Sequence, residues 1–128
     1  MPAAATRRLL RAIRHPLVHV IGHPTGRIIQ RREGLAPDME ALFRAAAEHD
    51  VALELNANPR RLDLRSSHVE GALAHGCKIA INTDVHRAEQ LDYLVYGVLQ
   101  ARRAGMEARS CVNTWPAAEL HAWLRSKR

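Results

Sequence analysis

Apolar residues along this chain alternate between short continuous runs and stretches in which they recur every three or four positions. The short runs predict buried strands, and the recurring stretches predict amphipathic helices. Strands are predicted over 17–21, 51–55, 78–82 and, from a weaker run, 109–112. Helices are predicted over 4–14 and 27–33, and others begin near positions 38, 67, 91 and 116. This alternation predicts parallel strands joined by right-handed crossovers.

Local signals mark several helix ends. Asp38 stands where an N-cap is expected, and Ser67 and Glu70 have the spacing of a capping box. Gly76 fits a C-terminal stop, and Pro116 suits the first position of the last helix. The elements amount to one α/β domain over 1–128. Four parallel strands are about half of a β/α barrel, so the chain is expected to be a small open sheet or part of something larger.

Composition narrows the class of protein. The chain carries a formal net charge of +6, which favours a polyanionic partner such as nucleic acid. Only Lys78 and Lys127 of its 19 basic residues are lysine, and such an arginine bias can equally reflect genome base composition. Cys77 and Cys111 have no metal-ligand spacing, so both are expected to be reduced packing residues. No apolar run approaches the about 20 residues of a membrane span, and a cytoplasmic location without membrane contact is expected.

Three of the predicted strands run into polar clusters that contain possible metal ligands. His23 follows the first strand, Glu54 and Asn56 lie at the end of the second, and Asp84 and His86 follow the third. Active sites of parallel α/β proteins lie at the carboxyl ends of the strands. Carboxylate and imidazole together suit zinc, manganese or iron. The pattern therefore predicts a metal-dependent site.

Each candidate also has a structural interpretation. Asp84 could cap the following helix while His86 lies on the surface, and a lone histidine such as His23 is more often structural. Glu54 lies within an apolar run, so its carboxylate needs a partner, either as a support or as a direct ligand. The neighbouring arginines could pair with it or bind phosphate; they are Arg27, Arg60, Arg61 and Arg65. The helical spacing of the tyrosines favours packing over base stacking; they are Tyr93 and Tyr96.

Several of these motifs, in this order, resemble a known family. They are Gly22–Arg27 (GHPTGR), Glu54–Pro59 (ELNANP), Arg61–Leu64 (RLDL), Thr83–His86 (TDVH), Tyr96–Val98 with Ala101–Arg102, and Val112–Thr114 (VNT). The string is similar to the C-terminal part of the PHP (polymerase and histidinol phosphatase) domain, and closest to that of bacterial family X DNA polymerases. The similarity extends from about Thr6 to Lys127. It implies the C-terminal portion of a distorted, TIM-like β/α barrel.

The resemblance also implies a function. The family hydrolyses phosphoester bonds with Mn or Zn, and in family X polymerases the domain is associated with 3′–5′ exonuclease activity and 3′-end processing of DNA. Carried over by motif, Asp84 and His86 are catalytic, and His23, Asp84 and His86 are metal ligands. Arg27, Arg61 and Asn56 are candidates for binding substrate phosphate, and Glu54 is a candidate for supporting the ligands. DNA is the expected partner.

The departures from the family pattern lower the expected activity. The opening His-x-His motif, the next ligands and the bridging glutamate have no counterpart in this chain. We therefore expect a single incomplete PHP domain with weak or absent catalysis. One alternative is a non-catalytic remnant that binds nucleic acid or completes a partner, and another is a small-molecule phosphatase of the same superfamily. An incomplete barrel leaves an open strand edge, so a separate polypeptide completing the barrel or a homo-oligomer is also expected.

Overall fold

The computed structural model describes residues 2–127, in which three strands form a parallel sheet. The strands lie in the order β1 (Val20–Ile21), β2 (Ala52–Asn56) and β3 (Ile79–Asn82). β2 pairs with both neighbours. The helices are α1 (Pro2–Arg14), α2 (Met39–His49), α3 (Ser66–Ala74), α4 (Leu94–Arg103) and α5 (Ala117–Ser126). The prediction of a parallel α/β fold is confirmed.

The two faces of the sheet have separate cores. Leu53 and Leu55 point to one face and pack in a cluster with buried side chains of α2 and α3. Ala52 and Ala80 point to the other face, where they pack with Trp123 of α5. Since side chains of a strand alternate between faces, the remaining even-numbered positions of β2 lie on the α5 side. Those positions carry the polar side chains of the candidate site.

Two of the four local helix signals were right. Asp38 caps α2, because its Oδ1 accepts a hydrogen bond from the Ala41 N–H at 3.1 Å. Gly76 ends α3 with a φ of +79°, in the left-handed region that favours glycine. The predicted capping box is wrong, since α3 begins one residue before Ser67 and its N-cap makes no side-chain bond. Pro116 is the N-cap of α5 and not its first residue.

Two other elements differ from the prediction because of tertiary contacts. Residues 27–33 form a tight loop and no helix; Ile28 bridges Arg32, and the Ile29 N–H donates to the Arg60 carbonyl at 2.7 Å. These bonds to a distant segment outweigh a weak local helical tendency. The first strand is also shorter than the predicted 17–21, because only Val20 and Ile21 pair regularly with β2.

The predicted strand at 109–112 forms only one parallel bridge, between Cys111 and Ile79. Two 3-10 turns flank it, at Ala108–Ser110 and Val112–Thr114. The Asn113 side chain takes the place of a strand: its Oδ1 accepts from the Ile81 N–H at 2.8 Å, and its Nδ2 donates to the Ile81 carbonyl at 2.9 Å. One amide side chain therefore satisfies the outer edge of β3.

The apolar positions that predicted a helix after residue 91 are largely exposed. The chain enters α4 through a 3-10 helix at Ala88–Tyr93, and only Gly97 and Ala101 of α4 are buried. The exposed apolar face, named here the α4 face, consists of Leu91, Leu94, Val95, Val98 and Leu99. An exposed cluster of this kind marks an interaction surface in many proteins. Within residues 2–127, no helix combines the length and the apolar character that crossing a bilayer requires.

Cys77 and Cys111 are both free thiols and buried, which confirms the prediction that they are reduced packing residues. The Cys77 Sγ donates to the Phe43 carbonyl at 3.1 Å. Burial raises the pKa of the Cys77 thiol from 9.0 to about 11, against smaller opposing effects of a backbone hydrogen bond and Lys78. Because the thiolate is the reactive form, Cys77 is inert in the folded protein.

We expect alkylation of Cys77 at pH 8 to be about 100-fold slower in the folded chain than in urea, in proportion to the thiolate fraction. Iodoacetamide labelling of a Cys111→Ala variant, followed by mass spectrometry, isolates this thiol. The rate should rise tenfold per pH unit up to about pH 11 in the folded chain. Equal rates in buffer and urea at pH 8 would show that the thiol is accessible and not protected by burial.

Candidate active site

Glu54 receives hydrogen bonds from the ends of all three strands. Its Oε1 accepts from the backbone N–H of His23 at 2.8 Å, just past β1, and from Asn56 Nδ2 at 3.2 Å. Its Oε2 accepts from Asn82 Nδ2 at 2.9 Å, at the end of β3. The carboxylate is buried, and these donors satisfy it without a basic partner. Glu54 therefore links the carboxyl ends of the three strands, and its predicted role as a support for metal ligands stays a prediction.

Asn56 connects this cluster to Asp84. Its side chain is completely buried, and its Nδ2 lies 3.4 Å from Asp84 Oδ2. Its Oδ1 accepts from the backbone N–H of Asn58 at 3.1 Å. In the structure this buried amide contacts the two carboxylates, and its predicted contact with substrate phosphate stays a prediction.

Asp84 and His86 lie together at the carboxyl end of β3. The His86 Nδ1 lies 3.0 Å from the Asp84 carbonyl oxygen. A carbonyl oxygen only accepts, so Nδ1 is the donor in this contact and Nε2 is not used in it. This arrangement is typical of metal-binding histidines. The following 3-10 helix has Arg87 as its N-cap and no side-chain cap bond, so Asp84 is not the helix cap of the alternative interpretation.

Backbone strain also marks the site. His23 and Asp84 both adopt positive φ, +23° and +52° respectively, a region that side-chain-bearing residues rarely occupy. Such residues occur preferentially at functional sites, where the surrounding structure holds them. Among residues 2–127, however, no three His, Cys, Asp or Glu side chains form a group that could hold a metal ion. The convergence of the His23 ring with Asp84 and His86 stays a prediction.

Asp63 holds the loop after β1 in place, a role that sequence reasoning missed. Its side chain is completely buried, and its Oδ2 accepts from the backbone N–H groups of Thr25 at 3.0 Å and Gly26 at 2.8 Å. The available signal was a carboxylate between two leucines in the RLDL motif, which only a burial argument could have interpreted. Asp63 thereby positions the segment that carries His23.

Arg27 fastens the same loop from the other side. Its Nε donates to the Arg61 carbonyl at 2.7 Å, and its Nη2 donates to the Leu62 carbonyl. Burial and the nearby Arg65 lower the pKa of Arg27, and Asp63 partly opposes them. The guanidinium is thus engaged with backbone, and its predicted contact with phosphate stays a prediction.

A cleft of about 610 Å³ opens beside Asp84 and His86. Four arginines and one carboxylate line it, together with polar and apolar side chains. The lining consists of Ile28, Ile29, Arg31, Asn58, Arg60, Arg61, Asp84, His86, Arg87, Gln90 and Tyr93. The Arg61 Nε lies 4.0 Å from Asp84 Oδ2, and its predicted contact with phosphate stays a prediction. The cleft, which we name the arginine cleft, is suited to an anionic ligand.

Sequence reasoning did not single out Arg31 and Arg87, and it assigned Tyr93 to packing. The three come from a loop, a turn and a 3-10 helix, which the fold brings together around the cleft. No periodicity or spacing connects them, so a sequence-level signal for the cleft was absent.

The chain is similar in sequence to a known protein that acts on DNA. No family model matches it. The DNA polymerase/3′-5′ exonuclease PolX of Bacillus subtilis (strain 168) is 41% identical over 119 residues, which are 93% of this chain and 21% of that protein. The chain thus spans about a fifth of the length of this curated relative. The identity over nearly the whole chain supports a relationship between the two sequences.

Proposed function

We propose that this chain forms the C-terminal part of a PHP-type phosphoesterase that processes the 3′ ends of DNA with Mn or Zn. The carrying observation is the position of Asp84 and His86 at an arginine-lined cleft, at the carboxyl end of a parallel strand. The similarity to a polymerase with 3′-5′ exonuclease activity supports the same reaction class. The parallel sheet is in keeping with the C-terminal portion of a distorted β/α barrel.

The proposed roles follow from the contacts. Asp84, His86 and His23 would hold the metal, which when bound polarises the phosphate and activates water. Asp84 and His86 are the proposed catalytic residues. Arg61 would bind and orient the substrate phosphate beside Asp84. Glu54 and Asn56 keep the ligand-bearing strand ends in register through their buried hydrogen bonds.

We further propose that the remaining metal ligands come from residues other than those of this chain. The motifs of this chain contain only a minority of the metal ligands that the PHP resemblance implies. The exposed α4 face supports this proposal, because an exposed apolar cluster is a surface on which further polypeptide can pack. The predicted consequence is weak or absent turnover by the chain alone.

We expect Asp84→Asn to lower the affinity for Mn²⁺ and Zn²⁺, measured by calorimetry, because it removes the anionic ligand. The decrease should exceed the about 10- to 100-fold loss typical of changes in outer-sphere partners. Asp92→Asn is the matched control: it removes an exposed carboxylate from the adjoining 3-10 helix and should leave affinity unchanged. Equal affinity in all three proteins would contradict the assignment of Asp84 as a ligand.

A second candidate function is nucleic-acid binding without catalysis. The arginine cleft favours this candidate. So does the finding that the described residues contain no group of three His, Cys, Asp or Glu side chains that could hold a metal ion. A salt-sensitive affinity for DNA without trimming of labelled 3′ ends would support this candidate. Robust Mn-dependent trimming by the pure chain would exclude it and would also overturn the prediction of weak catalysis.

A further inference from the structure

Three segments of the chain form the walls of the arginine cleft: two are joined by hydrogen bonds, and the third, which has its own internal bond, meets them where Arg61 Nε lies 4.0 Å from Asp84 Oδ2. The Ile29 N–H donates to the Arg60 carbonyl at 2.7 Å, and the Arg61 Nη1 donates to the Arg27 carbonyl at 3.4 Å. On the third wall, the His86 N–H donates to Gln90 Oε1 at 2.8 Å. The cleft is therefore a built feature of the fold and not a gap between loose loops.

The lining combines two kinds of chemistry. Arginine guanidinium groups bind phosphate oxygens through paired, charge-assisted hydrogen bonds. The other side chains include Tyr93, Ile28 and Ile29, which offer an aromatic ring and aliphatic surface. The Tyr93 ring is held against Tyr96, with ring centroids 6.1 Å apart. An aromatic ring beside arginines is the combination that single-stranded nucleic-acid sites use, the ring for the base and the cations for the backbone.

We infer that Tyr93 is the platform on which an unpaired terminal base stacks while Arg60 and Arg61 hold its phosphate next to Asp84. This inference rests on the proposed function, and it adds a residue that determines which DNA ends are accepted. A cleft of about 610 Å³ falls within the about 300–1,000 Å³ of small-ligand sites, so it has room for a nucleotide unit. Bases inside a duplex are stacked on both faces, whereas an unpaired base at a strand end can offer a face to the ring.

This role differs from the packing role that helical spacing favours for the tyrosines. Spacing predicts that Tyr93 and Tyr96 belong to one helix face, and the two rings do contact each other. Tyr93 ends the 3-10 helix and lines the cleft, whereas Tyr96 belongs to α4 and is absent from the described lining. The two tyrosines are therefore a natural pair of test and control positions.

The test is equilibrium binding of a 5′-fluorescein single-stranded oligonucleotide, followed by anisotropy in EDTA so that no cleavage occurs. Tyr93→Leu should weaken binding about tenfold, a loss typical of one stacked base, while Tyr93→Phe should retain affinity because it keeps the ring. Tyr96→Phe should bind like the wild-type chain, because it keeps the ring against which Tyr93 lies. Thermal unfolding followed by circular dichroism verifies that each variant is folded.

A second oligonucleotide, with an abasic residue at its 3′ end, separates stacking from a general effect. The wild-type chain should bind it as weakly as Tyr93→Leu binds the normal strand, and Tyr93→Leu should cause no further loss on it. An equal loss on both strands, or no loss on either, would overturn the inference, as would an absence of binding by the wild-type chain. Because no metal is present, a negative result here leaves the calorimetric test of the proposed function independent.

Arg60→Ala provides a comparison with a different signature. Removing a phosphate contact should weaken binding of both oligonucleotides alike. It should also reduce the slope of log affinity against log salt concentration by about one. Tyr93→Leu should leave the salt dependence unchanged. If Tyr93→Leu instead reduced the salt dependence as Arg60→Ala does, the stacking role would be wrong.

Discussion

Replacing Asp63 by alanine is expected to lower the free energy of unfolding by about 3 kcal/mol, because buried donors lose their acceptor. In the folded chain the Asp63 Oδ2 accepts from the N–H groups of Thr25 and Gly26. Both donors belong to the loop that follows β1, and the carboxylate that serves them is completely buried. Water cannot replace the lost acceptor without opening the loop, so the cost combines unsatisfied donors with local rearrangement.

Urea unfolding monitored by circular dichroism measures this loss, and hydrogen exchange locates it. We expect faster exchange of the Thr25 and Gly26 amides in Asp63→Ala, while amides of α5 keep their order of protection. Asp92→Ala removes an exposed carboxylate and should change stability by less than about 0.5 kcal/mol. A comparable effect of the two substitutions would mean that the Asp63 hydrogen bonds contribute nothing specific to the loop.

Gly97→Val should destabilise the chain by about 3 kcal/mol, at the upper end of the cost of overfilling a packed core. Gly97 is where α4 meets the sheet: a Cβ there would lie 2.6 Å from Ile81 Cγ2 and 2.8 Å from Ala57 Cβ. Neither neighbour can withdraw easily, because Ala57 is completely buried and Ile81 is held in β3. Accommodating valine requires α4 to move away from the sheet.

Leu99→Val is the matched control, since Leu99 lies on the same helix and is 56% exposed. It measures the helix-propensity cost of valine alone, which amounts to less than about 0.7 kcal/mol. Because valine is a better helix former than glycine, helix propensity cannot account for a loss at Gly97, and a larger loss there than at Leu99 in urea unfolding reports the steric contribution. Equal losses would indicate that α4 does not approach the sheet closely in solution.

The two substitutions have different consequences for the candidate site. Asp63→Ala acts on the loop that carries His23, whereas Gly97→Val acts through α4, which follows the 3-10 helix carrying Tyr93. Both parts of the site thus depend on residues that do not themselves line the cleft. Measurements of DNA or metal binding on either variant therefore require a parallel measurement of folding.

Local signals in the sequence predicted well where a short stretch of chain satisfies its own hydrogen bonds. Asp38 caps α2 through a bond to a residue three positions away, and Gly76 adopts the positive φ that a helix end needs. The strands at β2 and β3 were also predicted, because a fully buried strand reads as a continuous apolar run. The two helix signals depend on interactions within a few residues, whereas the strands were recognised from their own apolar runs although their partners lie tens of residues away.

Predictions failed where distant segments decide the conformation. The loop at 27–33 follows its bond to Arg60, and the segment at 109–112 gives way to the Asn113 side chain, which binds Ile81. No local pattern encodes a partner that lies tens of residues away. The same limitation applies to Asp63, whose importance comes from the backbone donors it serves.

The sequence by itself determined the parallel α/β class, the strands β2 and β3, and the position of Asp84 and His86 just past β3, since these follow from apolar periodicity and from spacing along one strand end. Only the tertiary structure decided that Asn56 is buried beneath the site, that Arg27 binds backbone, and that Arg31, Arg87 and Tyr93 share a cleft. Those facts depend on which segments meet in space. Burial and hydrogen bonding across the fold set that outcome, and neither is written in the order of residue types along the chain.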